Sequence, residues 1–374
     1  MTSPLRVVVL GAGTVGREVV RAFLERPETL VAADGSPLRL AGVAVRDVAR
    51  AARAGIPEGL LTDAPAHLVA SPETDVVVEL MGGDEPARTL IAAALAAGKS
   101  VVSANKHVLA HHGPELEDIA RRTGAALRYE AAVGGGIPVL GSIAGDLAAN
   151  RIDAVRGIVN GTTNFILSAM ASEGRAYGDV LADAQRAGYA EADPRGDVEG
   201  DDAANKLVVL ARQAFGRWLD VGSIGRVPDV VAGGPGLPGI TGVTIEDIAA
   251  AGPSGFAIKL IASATRTADG VVSAGVLPSA VPLDTPLGRT DGVLNRIEVD
   301  GVPVGRVAFA GPGAGGPATS SAVLGDLVAI ARGAGSIWAG QAPAAGSFPT
   351  GPASPAVHEA TFDGPSGARY PIVR

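Results

Sequence analysis

The chain has 374 residues and no cysteine. Disulfides, thiolate catalysis and cysteine-ligated zinc are therefore excluded. No apolar run approaches the roughly 20 residues of a membrane-spanning helix, and no internal repeat is visible. Basic charge is scarce: 31 Lys and Arg stand against 39 Asp and Glu, for a net charge of −8. No basic stripe is left to neutralise phosphates, so neither nucleic acid nor a membrane is the expected partner. The N-terminus runs from Arg6 straight into a strand and a glycine turn, without a signal-peptide pattern. A cytoplasmic protein acting on a small molecule is the expectation. In place of these missing features the chain is 47% hydrophobic and only 19% charged. That composition supports a large core, and the length allows two or more domains. Gly (52) and Pro (26) are abundant, yet below the range of disordered chains.

Leu5–Leu10 is an apolar run typical of a strand buried on both faces. Gly11-Ala12-Gly13-Thr14-Val15-Gly16 follows at once, and Val15, Val19, Val20, Phe23 and Leu24 then recur at helical spacing before Pro27. Alone, GxGxxG is a weak signal. Strand, glycines and helix in that order point to a dinucleotide-binding turn, with a plain structural turn as the alternative. Its glycines let the backbone close on a pyrophosphate, and the helix N-terminus supplies N–H donors. The next strand, Arg39–Val45, ends in Arg46-Asp47. An acid there suits the ribose hydroxyls of NAD and an arginine the 2′-phosphate of NADP. Both are present, and the reading leans to NADP, with a solvated charge pair after a strand as the alternative.

Asp75–Leu80 is a third buried strand. A helix over Pro86–Ala97 stops at Gly98. Ser100–Ser103 then delivers Asn105 and Lys106 at a strand's C-terminal end, where open α/β sheets bind ligands. Lys106 is a candidate for the nicotinamide or substrate end, or a plain surface lysine. His111 and His112 point apart on a helix and read as solvated. Ala125–Glu130 reads as a strand. Gly134-Gly135-Gly136 before Pro138 predicts a tight turn opening a helix, and inward carbonyls beside Glu130 could hold a hard cation.

The character changes near Asn150. Ala154–Val159 reads as a strand, Asn160–Asn164 as a polar loop opening a helix, and Phe165–Ser172 and Gly178–Ala187 as helices. Gly188 to Ala211 (GYAEADPRGDVEGDDAANKLVVLA) begins as an acidic loop and ends as a helix. Asp202 and Lys206 share one helix face, roughly 5–6 Å apart at Cβ. Behind Lys206 the run Leu207–Leu210 must be buried, which partly desolvates the amine and suits it to proton transfer. Asp202 would orient it, and Glu191 adds a second carboxylate. A helix N-terminus rich in acids for the macrodipole is the bland alternative. Farther on come a short helix at Ile245–Ala251 and strands at Phe256–Ala262, Val271–Leu277 and Leu294–Val299. Lys259 is the only charge in Phe256–Ala262. Asp300-Gly301 signals a hairpin turn. Gly311–Gly316 leads into a helix over Thr319–Arg332 and repeats the anion-binding design, with a purely structural turn as the alternative. Residues 333–374, rich in Ala, Gly and Pro, read as a loosely ordered tail.

Taken together, Gly11–Gly16, VVVELMGGDEPA from Val76, SANK from Ser103, EAAVGGGIP from Glu130, NGTTNFIL from Asn160, GYAEADPRGDVEGDDAANKL from Gly188 and FAGPGAGGPATSSAVLGDL from Phe309 make the chain resemble homoserine dehydrogenases over residues 5–332. The resemblance implies an α/β fold. A Rossmann-type dinucleotide-binding domain spans residues 1–140, and an α/β substrate and dimerisation domain with a mostly open sheet spans 141–310. A segment at 311–332 returns to the cofactor domain, and 333–374 is a tail too short for a regulatory domain. It implies NAD(P)-dependent, reversible hydride transfer between L-homoserine and L-aspartate 4-semialdehyde, in a homodimer. Lys206 is then the general acid/base with Asp202, and Glu191, Asp202, Lys106 and Thr162 hold substrate. Gly11, Gly13, Thr14, Val15, Gly16, Arg46, Ser103, Lys106, Gly188 and Gly313 meet the cofactor. Glu130 with the backbone of Val133, Gly135 and Ile137 matches a monovalent cation site, commonly sodium. Where many members have His-Pro-Leu, this chain has Thr285-Pro286-Leu287, so no histidine there assists the proton path. The competing readings are a related NAD(P) oxidoreductase on another small amino or hydroxy acid, a lysine Schiff-base enzyme, and a non-catalytic dinucleotide sensor.

Overall fold

Valine-rich segments set the first sheet. In the computed structural model, which describes residues 4–227, 236–267, 270–344 and 360–373, β1 (Arg6–Leu10) is buried along nearly its whole length. It leads into α1 (Thr14–Glu25), whose Val19, Val20 and Phe23 face the core. β2 (Arg39–Ala44), α2 (Val48–Arg53), β3 (Leu61–Thr62), α3 (Pro65–Ala70), β4 (Val76–Glu79), α4 (Ala87–Ala96), β5 (Ser100–Ser103), α5 (Lys106–Thr123), β6 (Leu127–Arg128) and α6 (Val139–Ala144) follow. The six strands are parallel in the order β3-β2-β1-β4-β5-β6. A parallel sheet covered by helices needs strands apolar on both faces, which is how β1 and β4 read.

The second sheet is built differently. β7 (Arg151–Ile158) precedes α7 (Gly161–Glu173), α8 (Tyr177–Arg186), α9 (Arg195–Val198), α10 (Asp201–Phe215) and α11 (Ile245–Ala251), and then come β8 (Phe256–Arg266), β9 (Val272–Pro282), β10 (Leu294–Val302) and β11 (Gly305–Pro312). The order β11-β10-β7-β8-β9 is antiparallel throughout. α10 is the buried helix of this unit, apolar from Leu207 to Ala211.

α12 (Gly316–Ala331) packs on α1 and places Val323 and Leu327 in the core of the first sheet. The described residues therefore form two compact units: Met1–Asp146 with Ala314–Gly346, and Leu147–Gly313 with Ser347–Arg374. No helix of the described residues is long and apolar enough to cross a membrane.

Three local expectations are corrected. Asp300 and Gly301 do not make the hairpin turn: they lie inside β10, opposite Arg306 and Gly305. Gly301 instead sits at a register shift against β7, where a Cβ would press on Ile152, and Gly305 (φ +78) serves the turn. The segment Ala125–Glu130 is mostly not strand. Only Leu127 and Arg128 pair, and Glu130 opens a 3-10 turn. Third, residues 333–344 and 360–373 are not loose. Ile337 and Trp338 are buried, and β12 (Thr361–Asp363) and β13 (Arg369–Pro371) form a hairpin packed on β9. Tyr370 is buried there and donates to Asp247 at 2.7 Å. Residues 345–359 of the predicted tail lie outside the described residues.

Candidate active site

The first unit holds a crevice above the C-terminal ends of β1 and β4. These neighbouring strands mark the point where the strand order reverses, the usual ligand site of an open α/β sheet. The crevice, about 710 Å³, is lined by Gly13, Thr14, Arg17, Arg46, Arg50 and Met81 among others. Gly11 has φ +98, and a Cβ on it would lie 2.7 Å from Leu80 O. A Cβ on Gly16 would lie 2.0 Å from Gly11 O. These two glycines close the turn. Gly13 differs, because no atom lies within 4 Å of its would-be Cβ. It starts α1 without a capping side chain or an acid in the first turn. Open space over uncapped N–H groups, Val15 in that first turn included, is what a pyrophosphate needs.

At the end of β2, Arg46 and Asp47 separate in role. The Asp47 carboxylate accepts from Arg50 N at 2.8 Å and caps α2. Arg46 is exposed on the crevice, with Arg17 and Arg50 on the same wall.

Ser103 is fully buried, and its hydroxyl donates to Glu79 at 2.7 Å. Its side chain is thus committed to the protein. Lys106 starts α5, half-buried, after the Asn105 cap. Of the histidines on α5, His111 is exposed as expected, whereas His112 is half-buried and meets Asp84 at 2.9 Å.

The loop from Glu130 to Pro138 is largely buried. The Glu130 carboxylate accepts from Leu140 N at 2.8 Å and from Gly141 N, at the start of α6. Burial, then the charge of Asp326, pushes its pKa up to about 7. Ile137 O accepts from Val139 N. No N–H or O–H of the described residues bonds to the backbone oxygens of Val133 or Gly135, both buried. Buried carbonyls are rarely left unpaired, and hard oxygens of this kind suit an alkali cation. Among the described residues no group of three or more His, Asp or Glu gathers as a metal site.

The second unit holds the acid–lysine cluster. Asn160 caps α7 by accepting from Thr163 N at 2.9 Å. Its amide nitrogen donates to Asp197 at 2.7 Å and to Asp202 at 2.8 Å. Lys206 is buried on α10, and Nζ donates to Asp202 Oδ2 and to Val159 O, each at 2.7 Å. Burial raises the Asp197 pKa, and the Asn160 amide opposes that rise. The predicted pair Asp202 and Lys206 is therefore in contact.

Other expected residues sit around it. Thr162 donates to Tyr189 O at 2.8 Å and holds the loop after α8. Gly188 lies exposed in that loop. The Glu191 side chain is exposed, and no hydrogen bond or ion pair joins it to the cluster. Gly313 packs against the buried Asn295 amide, whose Cγ would be 2.1 Å from a Cβ at that position. Sequence reasoning missed Asp197, Asn160 and Glu79 as site residues. Asp197 stood inside the acidic motif, Asn160 was visible as a helix cap, and Glu79 followed three valines directly in an apolar strand.

Two family models match the chain. One described as the homoserine dehydrogenase NAD binding domain covers residues 11–130, and one described as homoserine dehydrogenase covers 138–328. The homoserine dehydrogenase of Corynebacterium glutamicum is 43% identical over 92% of this chain and 76% of its own. That of Mycobacterium tuberculosis is 46% identical over 88% of this chain and 73% of its own. Among solved structures, the homoserine dehydrogenase of Thiobacillus denitrificans is similar, with a TM-score of 0.82 and 41% identity, over 88% of this chain and 74% of that one. A hyperthermophilic archaeal homoserine dehydrogenase in complex with NADPH gives a TM-score of 0.72 at 25% identity, over 87% of this chain and 97% of that one.

Proposed function

The chain belongs to the homoserine dehydrogenase family, and from that premise we propose how its residues interconvert L-homoserine and L-aspartate 4-semialdehyde with NAD(P). The observation that carries the reading is the hydrogen bonding of Lys206. An ammonium has three N–H donors, and two are held by Asp202 and Val159 O. The third is left for the aldehyde oxygen. A bound NAD(P)H supplies the hydride. As the carbonyl carbon is reduced, negative charge develops on its oxygen, and a fixed cation there stabilises it. Lys206 then gives that oxygen a proton, and in the reverse direction removes it. Asp202 orients the amine and balances its charge. Asp197 and Asp202, both held by Asn160, supply carboxylates for the substrate's ammonium group, with Glu191 on the adjacent loop as a third.

On the cofactor side, Gly11, Gly13, Thr14, Val15 and Gly16 hold the pyrophosphate. Arg46, helped by Arg17 and Arg50, favours a 2′-phosphate, so NADP is the preferred form. Asp47 is occupied as a helix cap and is a poor partner for the ribose of NAD. Lys106, Gly188 and Gly313 complete the contacts read from the resemblance. The residues fit a sodium ion: the unpaired oxygens of Val133 and Gly135, beside Glu130 and Ile137, would hold it and brace the loop. The homodimer expected from the resemblance belongs to the same reading, and sedimentation tests it.

The deciding experiment oxidises L-homoserine with NADP+ and with NAD+, in sodium chloride and in choline chloride, beside a panel of small amino and hydroxy acids. Homoserine with NADP+ should be the fastest pair, and sodium should raise the rate. Faster oxidation of another acid refutes the substrate assignment.

A further inference from the structure

Glu79 ends β4 after three valines and is fully buried. A carboxylate in such a place is costly unless donors surround it. Three do: Ser103 Oγ at 2.7 Å, Met81 N at 2.8 Å and Gly82 N at 3.3 Å. Burial pushes the Glu79 carboxyl above its ordinary range, and these donors oppose the shift. Ser103 Oγ in turn accepts from Asn105 N at 3.0 Å. Asn105 Oδ1 caps α5 by accepting from Val108 N at 3.2 Å, and Asn105 Nδ2 donates to Gly83 O at 2.8 Å. Gly83 follows Gly82, so the bonds close a ring through Glu79, Ser103, Asn105 and the loop after β4.

One side of the ring is the crevice wall, where Met81 and Gly82 lie. The other is the first turn of α5, which begins with Lys106. A fourth valine would have completed the strand without a buried charge. We propose that Glu79 is a positioning residue for cofactor binding: it bonds the loop at 81–83 to the start of α5, so the crevice wall is pre-formed before the dinucleotide arrives. Ordering that loop is then part of folding and is not charged against binding. This rests on reading the crevice as the dinucleotide site.

The test uses the full chain with Glu79→Gln, Asn105→Ala and the double variant. NADPH dissociation constants come from fluorescence, homoserine KM is measured at saturating cofactor, and thermal melts are recorded. Gln keeps the shape but cannot accept all three donors. Glu79→Gln is expected to weaken NADPH about tenfold, the scale of one charge-assisted hydrogen bond, while homoserine KM moves less than about twofold. The double variant should be little worse than the worse single, because one ring is broken twice. Should Glu79→Gln fail to fold, Ser103→Ala, which removes only a hydroxyl, carries the same test with about a threefold loss. Unchanged NADPH affinity, or equal losses in NADPH affinity and homoserine KM, overturns the proposal. If the wild-type chain binds neither NADPH nor NADH, the crevice reading falls, and this proposal with it.

Discussion

Replacing Lys206 removes the amine while leaving the crevice of the first unit untouched. Its side chain is buried, and its nitrogen fills two acceptors, Val159 O and Asp202 Oδ2. Lys206→Ala would leave Val159 O without this donor, at about 1–3 kcal/mol of stability, whereas Asp202 keeps the Asn160 amide at 2.8 Å. Lys206→Met keeps most of the stem and is the cleaner variant. Loss of a general acid/base costs about 10²–10⁴ in rate. Turnover is therefore expected to fall at least about 10²-fold, or about 2.7 kcal/mol of transition-state stabilisation. NADPH affinity should stay within about twofold, since Lys206 belongs to the proton-handling unit. Turnover is measured at saturating substrate, well below the variant's melting temperature, with NADPH binding measured separately. A variant that keeps more than about a tenth of wild-type turnover, below the effect expected of a lost acid/base, would refute the assignment. A variant that loses NADPH binding in step with turnover would do the same.

Arg46→Ala should weaken NADPH about tenfold, the scale of one charge-assisted bond to a phosphate, and NADH much less, as paired titrations would show. Tyr370→Phe removes the hydroxyl that donates to Asp247 but leaves both Ser366 donors. It should cost about 1.5–3 kcal/mol in urea unfolding; no measurable change would mean the C-terminal hairpin does not brace α11. The Arg6 side chain, together with its backbone N–H, holds the Asp75 carboxyl below the usual carboxylate range. A depressed pKa contributes stability that is present above the unfolded-state value and lost as pH falls through the folded one. The stability gap between wild type and Asp75→Asn should therefore be full at neutral pH and shrink as pH drops below about 4. A gap that widens there would contradict the sign.

Much of the architecture was legible in order. β1, the glycine turn and α1 follow from valine runs, Gly11–Gly16 and helical spacing, because each is a local pattern. The same holds for α11, found at Ile245–Ala251 as expected. The hairpin at Asp300-Gly301 misled because its turn chemistry is also what a bulge requires, and only the partner strand distinguishes the two. The tail misled for a similar reason. Small residues and prolines suggest looseness, yet Trp338 and Tyr370 find burial sites on distant segments.

For the site, the chain order alone determined that Asp202 and Lys206 share a helix face, since four residues make about one turn. It also determined that Gly13 could stand open over a helix N-terminus. Folding decided which partners those groups meet. Asp197 reaches the cluster through Asn160, from a different helix. Asp47 turns to its own helix and leaves Arg46 facing the crevice. Glu79 and Ser103, far apart in the chain, share a buried bond. Periodicity is a property of neighbours along the backbone, whereas the pairing of buried charges depends on which segments the core brings together.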